Sequence, residues 1–135
     1  MFPIGQGDRG RARARDLVTV LAVDDQDYFR GVMREVIEST NGFELVGEAA
    51  SGEAALEAAQ TRSPALVIMD KRMPGMGGLE ACRRLIERDP EVVVVITSVE
   101  DPDEDAMKSC PGAAFLQKQH LTPRRLRELW LPGSG

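Results

Sequence analysis

Histidine and cysteine are scarce in this chain, with one His and two Cys in 135 residues. Cys82 and Cys110 show no metal-ligand spacing, which argues against a structural zinc site. A chain of this length can bury a core without covalent help, so both cysteines are expected to be reduced thiols in a cytoplasmic protein. No apolar run approaches the ~20 residues that cross a bilayer. The opening stretch MFPIGQGDRGRARARD lacks the apolar core of a secretory signal. A membrane partner is therefore not expected.

Basic charge is also thin. There are 22 acids against 17 bases, a net charge of −5. Four arginines (Arg9, Arg11, Arg13, Arg15) fall in the first fifteen residues, which read as a flexible Arg-rich arm over 1–16. Residues 17–130 alone hold 20 acids and 13 bases, a net −7. Phosphate-backbone affinity needs clustered Lys and Arg, so direct nucleic-acid binding by this body is excluded as a main function. Residues 131–135 read as a frayed C-terminal tail.

What the chain does have is alternation. Leu17 to Val23 is a short apolar run that ends at Asp24-Asp25. Phe29, Val32, Met33, Val36 and Ile37 then repeat with helical period, and Asn41-Gly42 stops that helix. Phe43 to Gly47 is a second strand. Ser51 caps an Ala-rich helix that runs to about Arg62. Ala65 to Met69 is the third strand. Leu79, Cys82, Leu85 and Ile86 form the apolar stripe of a helix that Asp89-Pro90 closes. Val92-Val93-Val94-Val95-Ile96 is apolar throughout, as in the middle of a parallel sheet. Asp101-Pro102 opens a fourth helix that Pro111-Gly112 cuts short. Ala113 to Leu116 is the fifth strand, and Thr122-Pro123 opens a last helix with Leu126, Leu129 and Trp130 on one side. Strand then helix, five times over, predicts one α/β domain over 17–130, a doubly wound parallel sheet with helices on both faces.

In such a sheet the C-terminal strand ends share one edge, where ligands bind. The sequence sends Asp24 and Asp25 there from the first strand, Asp70 from the third, Thr97 and Ser98 from the fourth, and Lys118 just past the fifth. Ionised carboxylates ~4 Å apart repel by roughly 4 kcal/mol per pair at an effective dielectric of ~20. Either one Asp is protonated or a cation offsets the charge. An all-oxygen site with few protein ligands suits Mg²⁺. The lysine and hydroxyl suit phosphoryl oxygens. Together these point to phosphoryl transfer onto a carboxylate, with Asp70 as nucleophile.

The stretches VLAVDDQ (20–26), VGEAASGEAAL (46–56), LVIMDKRMPGMGGLEA (66–81), VVVITS (93–98) and AAFLQK (113–118) resemble the receiver domain of two-component response regulators. The resemblance spans about residues 17 to 130 and implies a flavodoxin-like sheet of order 2-1-3-4-5. It implies that Asp70 accepts a phosphoryl group from a histidine kinase or phosphotransfer protein. Asp25 would bind Mg²⁺ directly, Asp24 through water, Asp70 itself would be a ligand, and the Arg72 carbonyl would be another. Lys118 would contact the phosphoryl group, Thr97 would close on it, and Phe115 would turn inward with Thr97. The implied partners downstream are a target protein, a separate output domain or a second copy of the chain. Such a domain assists its own phosphorylation and is not a conventional enzyme.

Some positions depart from the family pattern. Gln119 stands where Pro often follows the lysine, Gly77 where Asp is common, and Phe115 where Tyr is common. The segment from Val99 to Gly112 is about one residue short. The short fourth helix is expected to be loosely held, with residues 101 to 111 responding strongly to phosphorylation. The departures at Gln119 and Pro111 keep open an alternative: a receiver fold that serves as a phosphorylation-independent interaction module. A haloacid-type phosphatase would want an acid two residues after the nucleophile, and that position is Arg72. His120 reads as an exposed, solvated side chain. The Glu100–Asp105 acids read as a helix N-terminus.

Overall fold

The computed structural model describes residues 17–101 and 103–131. The expected arm, the end of the tail and Pro102 lie outside the described residues. The elements alternate as the apolar pattern requires: β1 (Val18–Val23), α1 (Asp27–Glu38), β2 (Phe43–Ala49), α2 (Gly52–Arg62), β3 (Leu66–Asp70), α3 (Gly77–Arg88), β4 (Val93–Ser98), α4 (Glu104–Ser109), β5 (Ala114–Gln117) and α5 (Pro123–Trp130). The five strands form one sheet of order β2-β1-β3-β4-β5, and each neighbouring pair is parallel.

Strand alternation divides the core in two. Leu21, Val23, Val67, Met69, Val94 and Ile96 pack with residues of α2 and α3. Val20, Ala22, Leu66, Ile68 and Val95 pack with Phe29, Met33 and Ile37 of α1 and Leu126 of α5. β3 is buried along its whole length, as expected of a central parallel strand covered on both faces.

Helix starts follow the side-chain chemistry. Ser51 Oγ accepts from Ala54 N at 3.0 Å, and Thr122 Oγ1 accepts from Arg125 N at 3.2 Å, with Pro123 at the first helical position. These caps satisfy backbone donors that the first turn leaves free. β2 runs two residues beyond the expected Gly47 because β1 continues to pair with it as far as Val23↔Ala49, past a register shift between Val20 and Leu21.

Two expectations are corrected. The cap of α4 is Asp103, not Asp101. Asp103 has extended backbone and its Oδ1 accepts from Ala106 N at 2.6 Å, so the helix begins at Glu104. The cysteines are not separate thiols. Cys82 on α3 and Cys110 just after α4 are joined as a disulfide, with Cα atoms 6.7 Å apart, inside the range a disulfide spans. Both are buried. Composition and spacing could not disclose this, because the two residues meet only once α3 and α4 pack side by side.

Candidate functional site

One parity rule assembles the site. Val20 and Ala22 of β1 face the α1/α5 side, and Asp24 continues that series. Leu66 and Ile68 lead likewise to Asp70, Val93 and Val95 to Thr97, and Ala114 and Leu116 to Lys118. Four polar side chains from four strands thus face the same side of the sheet at the same edge. The β3–β4 register sets Asp70 directly beside Thr97.

The distances bear out the convergence. Carboxylate oxygens of Asp24, Asp25 and Asp70 all lie within 4.8 Å of one another, a grouping that can hold a metal ion. Lys118 Nζ sits 2.8 Å from Asp24 Oδ2 and 3.5 Å from Asp70 Oδ1. Asp24 is wholly buried, Asp70 nearly so, and Asp25 is exposed. Asp24 Oδ1 accepts from Gln26 N at 2.9 Å. Its Oδ2 has no aligned hydrogen bond, so Lys118 compensates it by charge alone.

Burial raises the Asp70 carboxyl above its ordinary range. The charge of Asp24 pushes the same way, Lys118 pulls it back, and Asp25 adds a smaller upward push. The raised proton affinity of Asp70 thus records its burial first and the neighbouring Asp24 charge second.

Thr97 is wholly buried, and its Oγ1 has no hydrogen-bond partner among the described residues. A buried hydroxyl without a partner is costly, and this one stands at the edge beside Asp70. Phe115 is placed differently. It is paired in register with Ile96 and packs partly buried against the α2/α3-side core, the sheet face opposite Thr97. Arg72 follows in the loop, where its exposed guanidinium pairs with Glu100 at 3.4 Å. His120 is exposed in a 3-10 turn, Lys118–His120, that occupies the segment containing Gln119.

Gly77 and Gly78 have a local structural task. Gly77 has φ +75°, a conformation that favours glycine. A Cβ on Gly78 would lie only 2.1 Å from the Asp70 carbonyl oxygen. The close approach is therefore that of α3 to the β3 end, closed by Gly78 N donating to Lys71 O at 2.9 Å. This pairing fixes the backbone that carries Asp70.

Sequence reasoning missed three supports of the site. Lys118 Nζ lies 4.6 Å from the centre of the Phe29 ring, a cation–π arrangement. Phe29 is legible only as a core residue from its helical period. Arg30 Nη1 donates to the Asp24 carbonyl at 2.7 Å, and Arg30 also pairs with Asp27. The third is Lys71, whose ammonium lies 3.8 Å from Asp103 Oδ2.

The family model for the response regulator receiver domain matches residues 20–129. The chain belongs to this family. The receiver domain is 38% identical over 104 residues to the response regulator GacA of Pseudomonas viridiflava, covering 76% of this chain and 49% of that protein. It is 35% identical over 104 residues to the response regulator UvrY of Escherichia coli K12, covering 76% and 48%. The chain therefore spans about half the length of the curated relatives it matches. Among solved structures, the response regulator domain of Thermotoga maritima CheB aligns with a TM-score of 0.71 at 30% identity, covering 86% of this chain and 92% of that one. The CheX–CheY–BeF3–Mg complex of Borrelia burgdorferi, at 24% identity and TM-score 0.76, covers 90% and 97% and shares the fold. The receiver domain has no helix among its described residues long and apolar enough to cross a membrane.

Proposed function

We propose that this receiver domain is a phosphorylatable switch in which Asp70 accepts a phosphoryl group from a histidine kinase or phosphotransfer protein. The observation that supports this most is the grouping of Asp24, Asp25 and Asp70 with Lys118 Nζ 3.5 Å from Asp70 Oδ1. An Asp70 carboxylate oxygen attacks phosphorus on the donor's phosphohistidine. The new O–P bond forms as the P–N bond breaks, and the imidazole nitrogen keeps the electron pair and is protonated.

The donor set fits Mg²⁺: three carboxylates, one of them solvent-facing, for an ion that takes oxygen ligands and retains several waters. Asp25 and Asp70 would hold it directly and Asp24 through water, with the Arg72 carbonyl as a further ligand. When bound, the ion supplies positive charge to the phosphoryl oxygens. The chain's own residues do the rest. Asp24 holds the Lys118 ammonium at the edge, Phe29 supports it, and Lys118 shifts to a phosphoryl oxygen. The unpartnered Thr97 hydroxyl donates to another, and Phe115 repacks as β4 adjusts. The outcome is a population shift of the surface around α4, β5 and α5, read by a downstream protein, an output domain or a second copy of the chain. The domain turns over only its own phosphoryl group.

Intact mass after incubation with Mg²⁺ and acetyl phosphate tests the reading. A phosphate-sized gain is expected, absent with a chelator and absent in Asp70→Asn. If no phosphodonor produces a gain, the switch is wrong and the phosphorylation-independent interaction module takes its place.

A further inference from the structure

Lys71 directly follows Asp70, and the alternation that aims Asp70 at α1 and α5 aims Lys71 at the opposite face of the sheet. Its backbone is held twice. Lys71 N donates to Thr97 O at 2.8 Å, and Lys71 O accepts from Gly78 N at 2.9 Å. Its side chain is only 9% exposed, an unusual state for a lysine, and its ammonium lies 3.8 Å from Asp103 Oδ2. Asp103 caps α4 through its other oxygen, which accepts from Ala106 N at 2.6 Å. One carboxylate therefore joins the start of α4 to the residue beside the phosphoacceptor.

That junction matters because α4 has little else. It is six residues long with Ala106 as its only buried residue, too short to persist without outside support. Its far end is tied to α3 through Cys110 and Cys82. At the near end, Arg72 pairs with Glu100 across open solvent, with both side chains more than 60% exposed, where such pairs contribute little. The sheltered cation at this end is Lys71.

We infer that Lys71 is a positioning residue that holds α4 through Asp103 and carries the state of Asp70 to it. The inference rests on the proposed phosphorylation for its second half only. Any movement of Thr97 toward a group on Asp70 pulls on the Thr97 O to Lys71 N bond, and so shifts the ammonium relative to Asp103. α4 is then released or reset without contacting the phosphoryl group.

Hydrogen exchange of residues 104–109 tests this in wild type, Lys71→Met, Asp103→Asn, the double variant and Lys71→Arg. Asn keeps the cap and removes only the charge. Without phosphodonor, each single variant is expected to speed exchange about two- to fivefold, on the scale of a partly exposed ion pair. The double variant is expected to be no faster than either single one, and Lys71→Arg should restore slow exchange. Unchanged exchange in both single variants overturns the latch. With acetyl phosphate and Mg²⁺, wild-type α4 is expected to change its exchange, and Lys71→Met to lose that response while still gaining mass. A full α4 response in phosphorylated Lys71→Met overturns the coupling. Should wild type take no phosphate, the proposed function and the coupling both fail, and the exchange without donor still decides the latch.

Discussion

The β1–β3 end of the sheet and the α4 region meet at the Lys71–Asp103 pair and are built in opposite ways. Asp24 and Asp70 end strands that are buried on both faces, and the start of α3 is closed onto the Asp70 backbone through Gly78. α4 is six residues with a single buried residue, tied at one end by a disulfide and at the other by the Asp103 cap and Lys71. The difference separates two requirements. In the proposed switch, a nucleophile and its counter-charges must be held within tenths of an ångström. A responding element must be cheap to move, so it is drawn from the weakly packed part of the structure.

The largest expected effect removes the rigid half of this contrast. Gly78→Ala places a methyl against the Asp70 carbonyl, where backbone and not a flexible side chain must move. We expect a loss of about 4 kcal/mol in denaturant unfolding, at the severe end for one substitution. A loss under about 1 kcal/mol would mean that α3 stands farther from β3 than a 2.1 Å approach of that methyl to the Asp70 carbonyl requires.

Next, the disulfide is expected to support the weakly packed half. Reduction should lower stability by about 3 kcal/mol, on the usual scale for a cross-link, and should speed exchange in α4 before it affects β3. Thiol labelling in denaturant gives no adducts if Cys82 and Cys110 are paired. Two adducts without a reductant would restore the reading of free thiols.

A smaller effect of opposite sign comes from the site itself. Burial and Asp24 raise the Asp70 carboxyl in the folded protein. A carboxyl with a raised folded pKa binds more protons folded than unfolded, so its ionisation lowers stability as pH rises from the unfolded pKa through the folded one. With Mg²⁺ chelated, Asp70→Asn should therefore be more stable than wild type at neutral pH, and the two should converge in acid below the unfolded pKa. A less stable variant at neutral pH would show that the Asp70 charge is already compensated by Lys118.

The smallest effect serves as a reference. Glu48 is held below its ordinary range, chiefly by the hydrogen bond from Arg34, with Arg30 adding less. A carboxyl with a lowered folded pKa gives stability that is present above its unfolded pKa and lost as pH falls through the folded one. Glu48→Gln should flatten that acid limb slightly, with the effect shrinking in salt. An effect as large as that of Asp70→Asn would mean that solvent screens this pair less than its exposure implies.

Much of this was legible before any coordinates. Apolar runs, the helical period, caps and breakers mark all ten elements in order, and the parallel sheet they imply brings Asp24, Asp25, Asp70, Thr97 and Lys118 to one edge. Periodicity works here because each strand must turn an apolar series inward, which leaves its terminal polar residue at a fixed parity. The start of α4 was misplaced because Asp101 and Asp103 are equally good caps by residue type, and only the path of the chain selects between them. Phe29, legible as core, could not be seen beneath Lys118, because their contact crosses from α1 to the end of β5.

By itself the sequence determined the alternation of elements, the parallel sheet and the acidic, lysine-bearing edge, since these follow from local period and strand parity. Only the tertiary structure decided that Cys82 meets Cys110, that Lys71 reaches Asp103, and that Phe29 lies beneath Lys118. Those are relations between elements distant along the chain, and their geometry exists only after the sheet has twisted and the helices have packed against it.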